Sequence, residues 1–228
     1  MRKILLLYFC LFSTFSMFGQ MLISGTKQIV SKGKITCYER GDWAFRVNLG
    51  GTYLAYDTKT TQWINNHGVV LAGLEISRNR VFLAADFRVF TVNPVKELSI
   101  NDKVIPLEAK VNPGKINLIA GYEFDLLRKT TLSTYAGWLN SVFYVINEDQ
   151  LGEKYTIPSK QGFTCGIRLN QYFESSPYYY WGLFLDYNFN ISNYNNISPE
   201  LGKTFQGISV GLIYKFWLRK EKAVSNIW

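Results

Sequence analysis

Residues 178–191 read YYYWGLFLDYNFNI, and alternate positions separate into two unlike sets. Tyr179, Trp181, Leu183, Leu185, Tyr187, Phe189 and Ile191 make one set; Tyr178, Tyr180, Gly182, Phe184, Asp186, Asn188 and Asn190 make the other. Successive side chains of a strand point to opposite faces, so this separation predicts a strand with one apolar and one mixed face. The same period recurs at 43–56, 68–77, 80–92, 115–126, 131–145, 162–170 and 204–217, and no segment carries a helical period. An all-β chain of this kind must cover eight apolar combs at once.

The connections narrow the choice. They alternate between long ones, at 57–67, 93–114, 146–161 and 192–203, and short ones around Arg78, Arg128 and Ser175. Long and short connections therefore fall at opposite ends of the sheet. An even number of antiparallel strands with that asymmetry is the pattern of an up-and-down transmembrane barrel. A soluble barrel of the lipocalin kind would also alternate, so the composition of the polar comb has to decide.

That comb holds one small residue on every strand: Gly50, Gly73, Ala84, Gly121, Gly137, Gly166, Gly182 and Gly211. Glycine weakens strands and has no purpose on a solvated face, whereas the crowded interior of an eight-stranded barrel needs it beside long side chains. Those long side chains are Arg46, Arg88, Arg168 and Lys215 against Glu75, Asp86, Glu123 and Asp186. Four cations against four carboxylates predict a balanced interior charge network, since groups withdrawn from water need partners. Phe82, Phe90, Tyr135 and Phe184 share these combs and should help to plug the lumen. The opposite comb is apolar and free of charge through the middle of each strand, with Trp43, Tyr122, Tyr179, Trp181, Tyr214 and Phe216 toward the short turns and Tyr53, Trp138 and Tyr187 toward the loops. Such a face belongs against lipid, with aromatic girdles at both interfaces.

At the N-terminus, MRKILLLYFCLFSTFSMFGQ joins Arg2 and Lys3 to an apolar block and then small residues, which predicts a signal peptide over 1–19. The expected organisation continues with a periplasmic segment at 20–42, the barrel at 43–217 and a periplasmic tail at 218–228. Cleavage would leave only Cys37 and Cys165, too few for a disulfide framework, and no His or Cys cluster suggests a metal. The net charge of +8 is scattered rather than drawn into a basic stripe, so nucleic acid is not an expected partner. No cofactor motif stands out either.

The final strand, GISVGLIYKFW, resembles the C-terminal assembly signal of outer-membrane barrels, with Gly211, Tyr214 and Phe216 at the matching positions. From 43 to 217 the chain resembles the small OmpA/OmpX-type bacterial outer-membrane barrels in strand number and loop asymmetry. The resemblance implies an outer-membrane location, with membrane lipid and the barrel assembly machinery as partners. It leaves activity open. His67 is the one histidine of the chain, and lipid-A-modifying and protease barrels of similar form use an outer histidine with serine or carboxylate partners; no such partner stands beside it in sequence. The reading that results is a non-enzymatic barrel that acts structurally or with protein partners in an envelope complex. An enzyme working through His67 and a narrow channel are the alternatives. The segment 93–114 is apolar for a long loop, and VKELSI is expected to pair with KVIPLEAKV across Asn101 and Asp102, extending the barrel wall or meeting a partner.

Overall fold

The computed structural model describes residues 27–31, 34–100, 103–127, 129–146, 155–174, 178–194 and 198–223. The expected signal peptide, the first residues of the 20–42 segment and the last residues of the tail lie outside them. In chain order the strands are β1 (Lys27–Ser31), β2 (Lys34–Tyr56), β3 (His67–Arg78), β4 (Val81–Val89), β5 (Leu98–Ile100), β6 (Lys103–Ile105), β7 (Lys110–Leu127), β8 (Thr130–Ile146), β9 (Tyr155–Glu174), β10 (Tyr179–Ser192) and β11 (Thr204–Ala223), with a short helix α1 (Thr58–Trp63) after β2.

Eight of these strands, β2, β3, β4 and β7 to β11, are neighbours in that order, and β11 is hydrogen-bonded back to β2. The sheet is therefore a closed antiparallel barrel, and closure removes the free edges that a lipid environment does not tolerate. Each alternating segment of the sequence is one of its strands. Several strands run beyond the expected bounds: β7 and β8 stay paired as far as Lys110↔Ile146, and β8 and β9 as far as Val145↔Tyr155, where Val111, Val145 and Ile157 join a buried apolar cluster. The chain divides into two compact units, with the barrel in residues 40–220. In the other unit β1 pairs with the start of β2, from Lys27↔Tyr38 to Ser31↔Lys34, so strand structure begins well before Trp43.

Side-chain direction follows the combs. Along β10 the even positions from Gly182 to Ser192 are buried, while Leu183, Leu185 and Tyr187 on the other face are exposed. The two-residue turn between β3 and β4 places Asn79 at φ 55°, a left-handed conformation that asparagine accepts readily. The inward glycines give up their volume to large neighbours. A Cβ on Gly121 would strike the ring of Phe82, and one on Gly73 would strike the carboxylate of Asp86.

Phe90 corrects the expected list of plugging residues. β4 ends at Val89, the comb is not continued, and the Phe90 ring turns outward at 48% exposure.

Candidate functional site: the filled lumen and its loop cap

Cross-strand register places opposite charges face to face inside the barrel: Arg46 opposes Glu75 on β2 and β3, and Arg168 opposes Asp186 on β9 and β10. From these two pairs a chain of contacts runs along the lumen. Lys215 donates to Glu123 at 2.6 Å, and Glu123 also accepts from Arg46 at 3.0 Å. Arg46 holds Glu75, whose Oε2 lies 3.8 Å from Arg168. Arg168 then reaches Asp86 at 3.1 Å and Asp186 at 3.3 Å. Asp186 accepts as well from the Tyr135 hydroxyl at 2.8 Å and from the Asn188 amide at 3.0 Å. Finally Arg88 donates to Asn188 at 3.3 Å, with its Nη2 at 3.9 Å from Asp186. All eight charges expected from the sequence thus join one network.

Aromatic rings fill the spaces between the ions. The Arg168 guanidinium lies 5.6 Å from the ring centres of both Tyr135 and Phe184, and Arg46 lies 5.6 Å from that of Phe82. Each of the four cations donates to at least one side chain of the lumen, and the ion-paired stack with its rings fills the lumen.

The expected balance of charge is corrected by a ninth residue. Lys115 on β7 is 2% exposed and points inward, so among the described residues five cations meet four carboxylates. It stands at the first position of the alternating segment 115–126 with the same parity as Gly121 and Glu123, a signal that was there to be read.

At the end with the long loops a second layer closes the mouth. Trp63 and Ile64 after β2, Leu98, Ile100, Ile105 and Ala109 from the β4–β7 connection, Phe143 and Val145 on β8, Ile157 on β9, and Tyr194 and Leu201 after β10 form one buried apolar cluster. Phe143 is its hub, with Trp63 edge-on at 5.3 Å and Tyr194 at 4.9 Å. The β5–β6 hairpin forms in the expected register, Leu98↔Ile105 to Ile100↔Lys103. It does not extend the barrel wall as expected: it is a separate sheet, because its apolar side chains are used to cover the lumen.

Asp57 ties this cap together. It caps α1 through the Thr60 N–H at 3.0 Å, and its other oxygen accepts from the Lys203 and Thr204 N–H groups at 2.7 and 3.1 Å. The Gly202 N–H donates to the Thr60 hydroxyl at 2.9 Å, and a Cβ on Gly202 would collide with the Asp57 carboxylate. Partial burial pushes the Asp57 carboxyl up, but the backbone donors of Thr60, Thr204 and Lys203 outweigh it and hold the group below the usual carboxylate range. A depressed pKa in the folded state stabilises the cap above the unfolded value and is lost as pH falls through the folded one. Asp57→Ala should therefore loosen the first and last loops at neutral pH, by about 0.5–2 kcal/mol for the lost helix cap alone. Hydrogen exchange should show faster exchange at Thr60, Lys203 and Thr204 with the barrel amides unchanged. The wild type should reproduce that pattern only in strong acid, below the ordinary range of an aspartate.

His67 lies at the rim of the cap. Its Nδ1 is 2.9 Å from the Asn65 carbonyl oxygen, and its ring packs 5.5 Å from Tyr56 and 6.4 Å from Phe90. Among the described residues its Nε2 has no hydrogen-bond partner, and no carboxylate or hydroxyl is joined to it. Among the described residues no three metal-ligating side chains converge.

The outer surface of the barrel is apolar. Leu49, Val70, Leu74, Leu83, Leu118, Ile167, Ile208 and Leu212 are half or more exposed. Toward the short turns Phe45 stacks on Phe216 at 5.3 Å, Phe173 meets Trp181 at 4.8 Å and Tyr122 meets Phe124 at 4.8 Å; toward the loops Trp138 opposes Phe163 across β8 and β9. An apolar band between two aromatic belts is the surface of a barrel that lies in lipid. On β11, Tyr214 and Phe216 belong to this outer face and Gly211 to the inner one.

No protein-family model and no curated protein matches the chain. Among solved structures it is similar to the N-terminal β-barrel domain of Pseudomonas aeruginosa OprF, at 13% identity and a TM-score of 0.48, covering 78% of this chain and 100% of that one. Neisserial surface protein A is similar at 11% identity and a TM-score of 0.49, covering 78% and 98%. The Escherichia coli outer membrane protease OmpT is similar at 8% identity and a TM-score of 0.35, covering 79% and 98%.

Proposed function

We propose that the chain is a bacterial outer-membrane barrel that neither catalyses nor conducts, and that it acts through its surfaces, structurally or as a subunit of an envelope assembly. One observation carries this reading: an ion-paired stack fills the lumen and an apolar cluster of loop residues seals its outer mouth. A conducting barrel would need a continuous aqueous path, and an enzyme would need a base with its partner in reach. Lipid and the barrel assembly machinery are the partners the reading implies.

Protein contact is best served by the loop end. Val95, Val104 and Leu107 are about half exposed on the β4–β7 connection while Leu98, Ile100, Ile105 and Ala109 are spent inside the cap. Substituting Val95, Val104 and Leu107 together by Ser leaves the cap intact and should release co-purifying envelope proteins from the barrel. Planar-bilayer recordings on the wild-type protein should show no discrete conductance steps. Sustained openings would overturn the closed-lumen reading, and retention of every partner by the triple variant would move recognition to the periplasmic segments 20–42 and 218–228.

A further inference from the structure

The fifth cation needs an answer. Arg88 and Lys115 stand directly opposite each other on β4 and β7, both facing the lumen, at 1% and 2% exposure. Like charges in opposed positions of a sheet repel, and in a barrel closed to water the repulsion is poorly screened. Asp186, the carboxylate nearest to Arg88, already accepts from Tyr135, Arg168 and Asn188, and Arg88 Nη2 remains 3.9 Å from it. As a result Arg88 Nε and Nη2 are buried donors without acceptors among the described residues. Lys115 has no ion-pair partner among the described residues: its ammonium lies 3.4 Å from the Tyr56 hydroxyl, 4.7 Å from the Tyr56 ring centre and 3.3 Å from that of Phe205.

From this geometry we infer that the upper lumen, beneath the loop cap, holds a small-anion site formed by Arg88 and Lys115, which takes a monatomic halide such as chloride. One negative charge there cancels the excess of one cation, accepts from the unused Arg88 donors and removes the repulsion across β4 and β7. A water molecule would supply an acceptor but no charge. The donors left over are those of Arg88, beside the Lys115 ammonium on the next strand, so the ligand they call for carries a single charge and few acceptor atoms. The site is separate from the surfaces through which the barrel is proposed to act.

The test uses the full-length protein refolded in a neutral detergent, with heat-induced unfolding followed in sodium chloride and in sodium gluconate at equal ionic strength. A ligand that binds only the folded state raises the midpoint in proportion to the logarithm of its concentration once the site is filled. The wild type should show that rise with chloride and not with gluconate, and Lys115→Met should abolish it. Equal midpoints in the two salts, or the same chloride increment in Lys115→Met, would overturn the site. Crystals of the wild type grown in bromide give a readout that needs no variant to fold: an anomalous peak is expected between the Arg88 guanidinium and the Lys115 ammonium, and its absence at saturating bromide refutes the proposal.

Discussion

Arg168→Met is expected to destabilise the barrel by about 3–5 kcal/mol, the scale on which an ion left alone in a protein interior is penalised. Arg168 is the hub of the lumen, within 3.1 Å of Asp86, 3.3 Å of Asp186 and 3.8 Å of Glu75. After its removal Glu75 still has Arg46, and Asp186 still has Tyr135 and Asn188. Asp86 is left worse off, because Arg168 holds its Oδ2 and its Oδ1 already lacks a partner among the described residues. Neutralising Asp86 in the same chain, as Arg168→Met with Asp86→Asn, should therefore recover part of the loss. Urea unfolding in phospholipid vesicles, applied to the two single variants and the double, measures the coupling. Strict additivity would mean that the lumen is a collection of independent pairs rather than a network.

Leu183→Arg tests the other face of the wall. Leu183 sits on β10 in the apolar stretch between Trp181 and Tyr187, outward and exposed, with Gln171 and Leu212 as its cross-strand neighbours. An arginine near the bilayer midplane costs about 2–4 kcal/mol, and the cost falls to about 0–1 kcal/mol near the interface. Tyr179 lies on the same face at the start of the strand, in the aromatic belt with Tyr214 at 6.1 Å. Tyr179→Arg should therefore be the milder change in the same vesicles, even though it removes the larger side chain. If both arginines cost the same, this surface is not graded by depth in a membrane.

The membrane-facing character of the wall was legible before any coordinates because period-2 alternation is a local property. Each comb declares its two faces within a few residues, and the glycines beside Arg46, Glu75, Asp86 and Arg168 identify which face is crowded. Strand number, inner and outer faces and the eight expected charges follow from that pattern, and Lys115 could have been added from its parity with Glu123. Other features depend on where distant segments meet. Phe90 has the inward parity but turns out, since β4 stops pairing one residue earlier. Asp57 reads as an ordinary loop carboxylate until Lys203 and Thr204, some 146 residues away, present their N–H groups to it. The apolar residues of 93–114 were visible as an anomaly, but their destination was not: Leu98, Ile100 and Ile105 are buried only because Trp63, Phe143, Ile157 and Tyr194 arrive from four other connections and strands. Alternation along a strand determined which residues face lipid and which face the lumen. Only closure of the barrel, which brings three loop regions and the ends of β8 and β9 over one mouth, decided that the mouth is shut, because burial there is shared among segments distant in the chain.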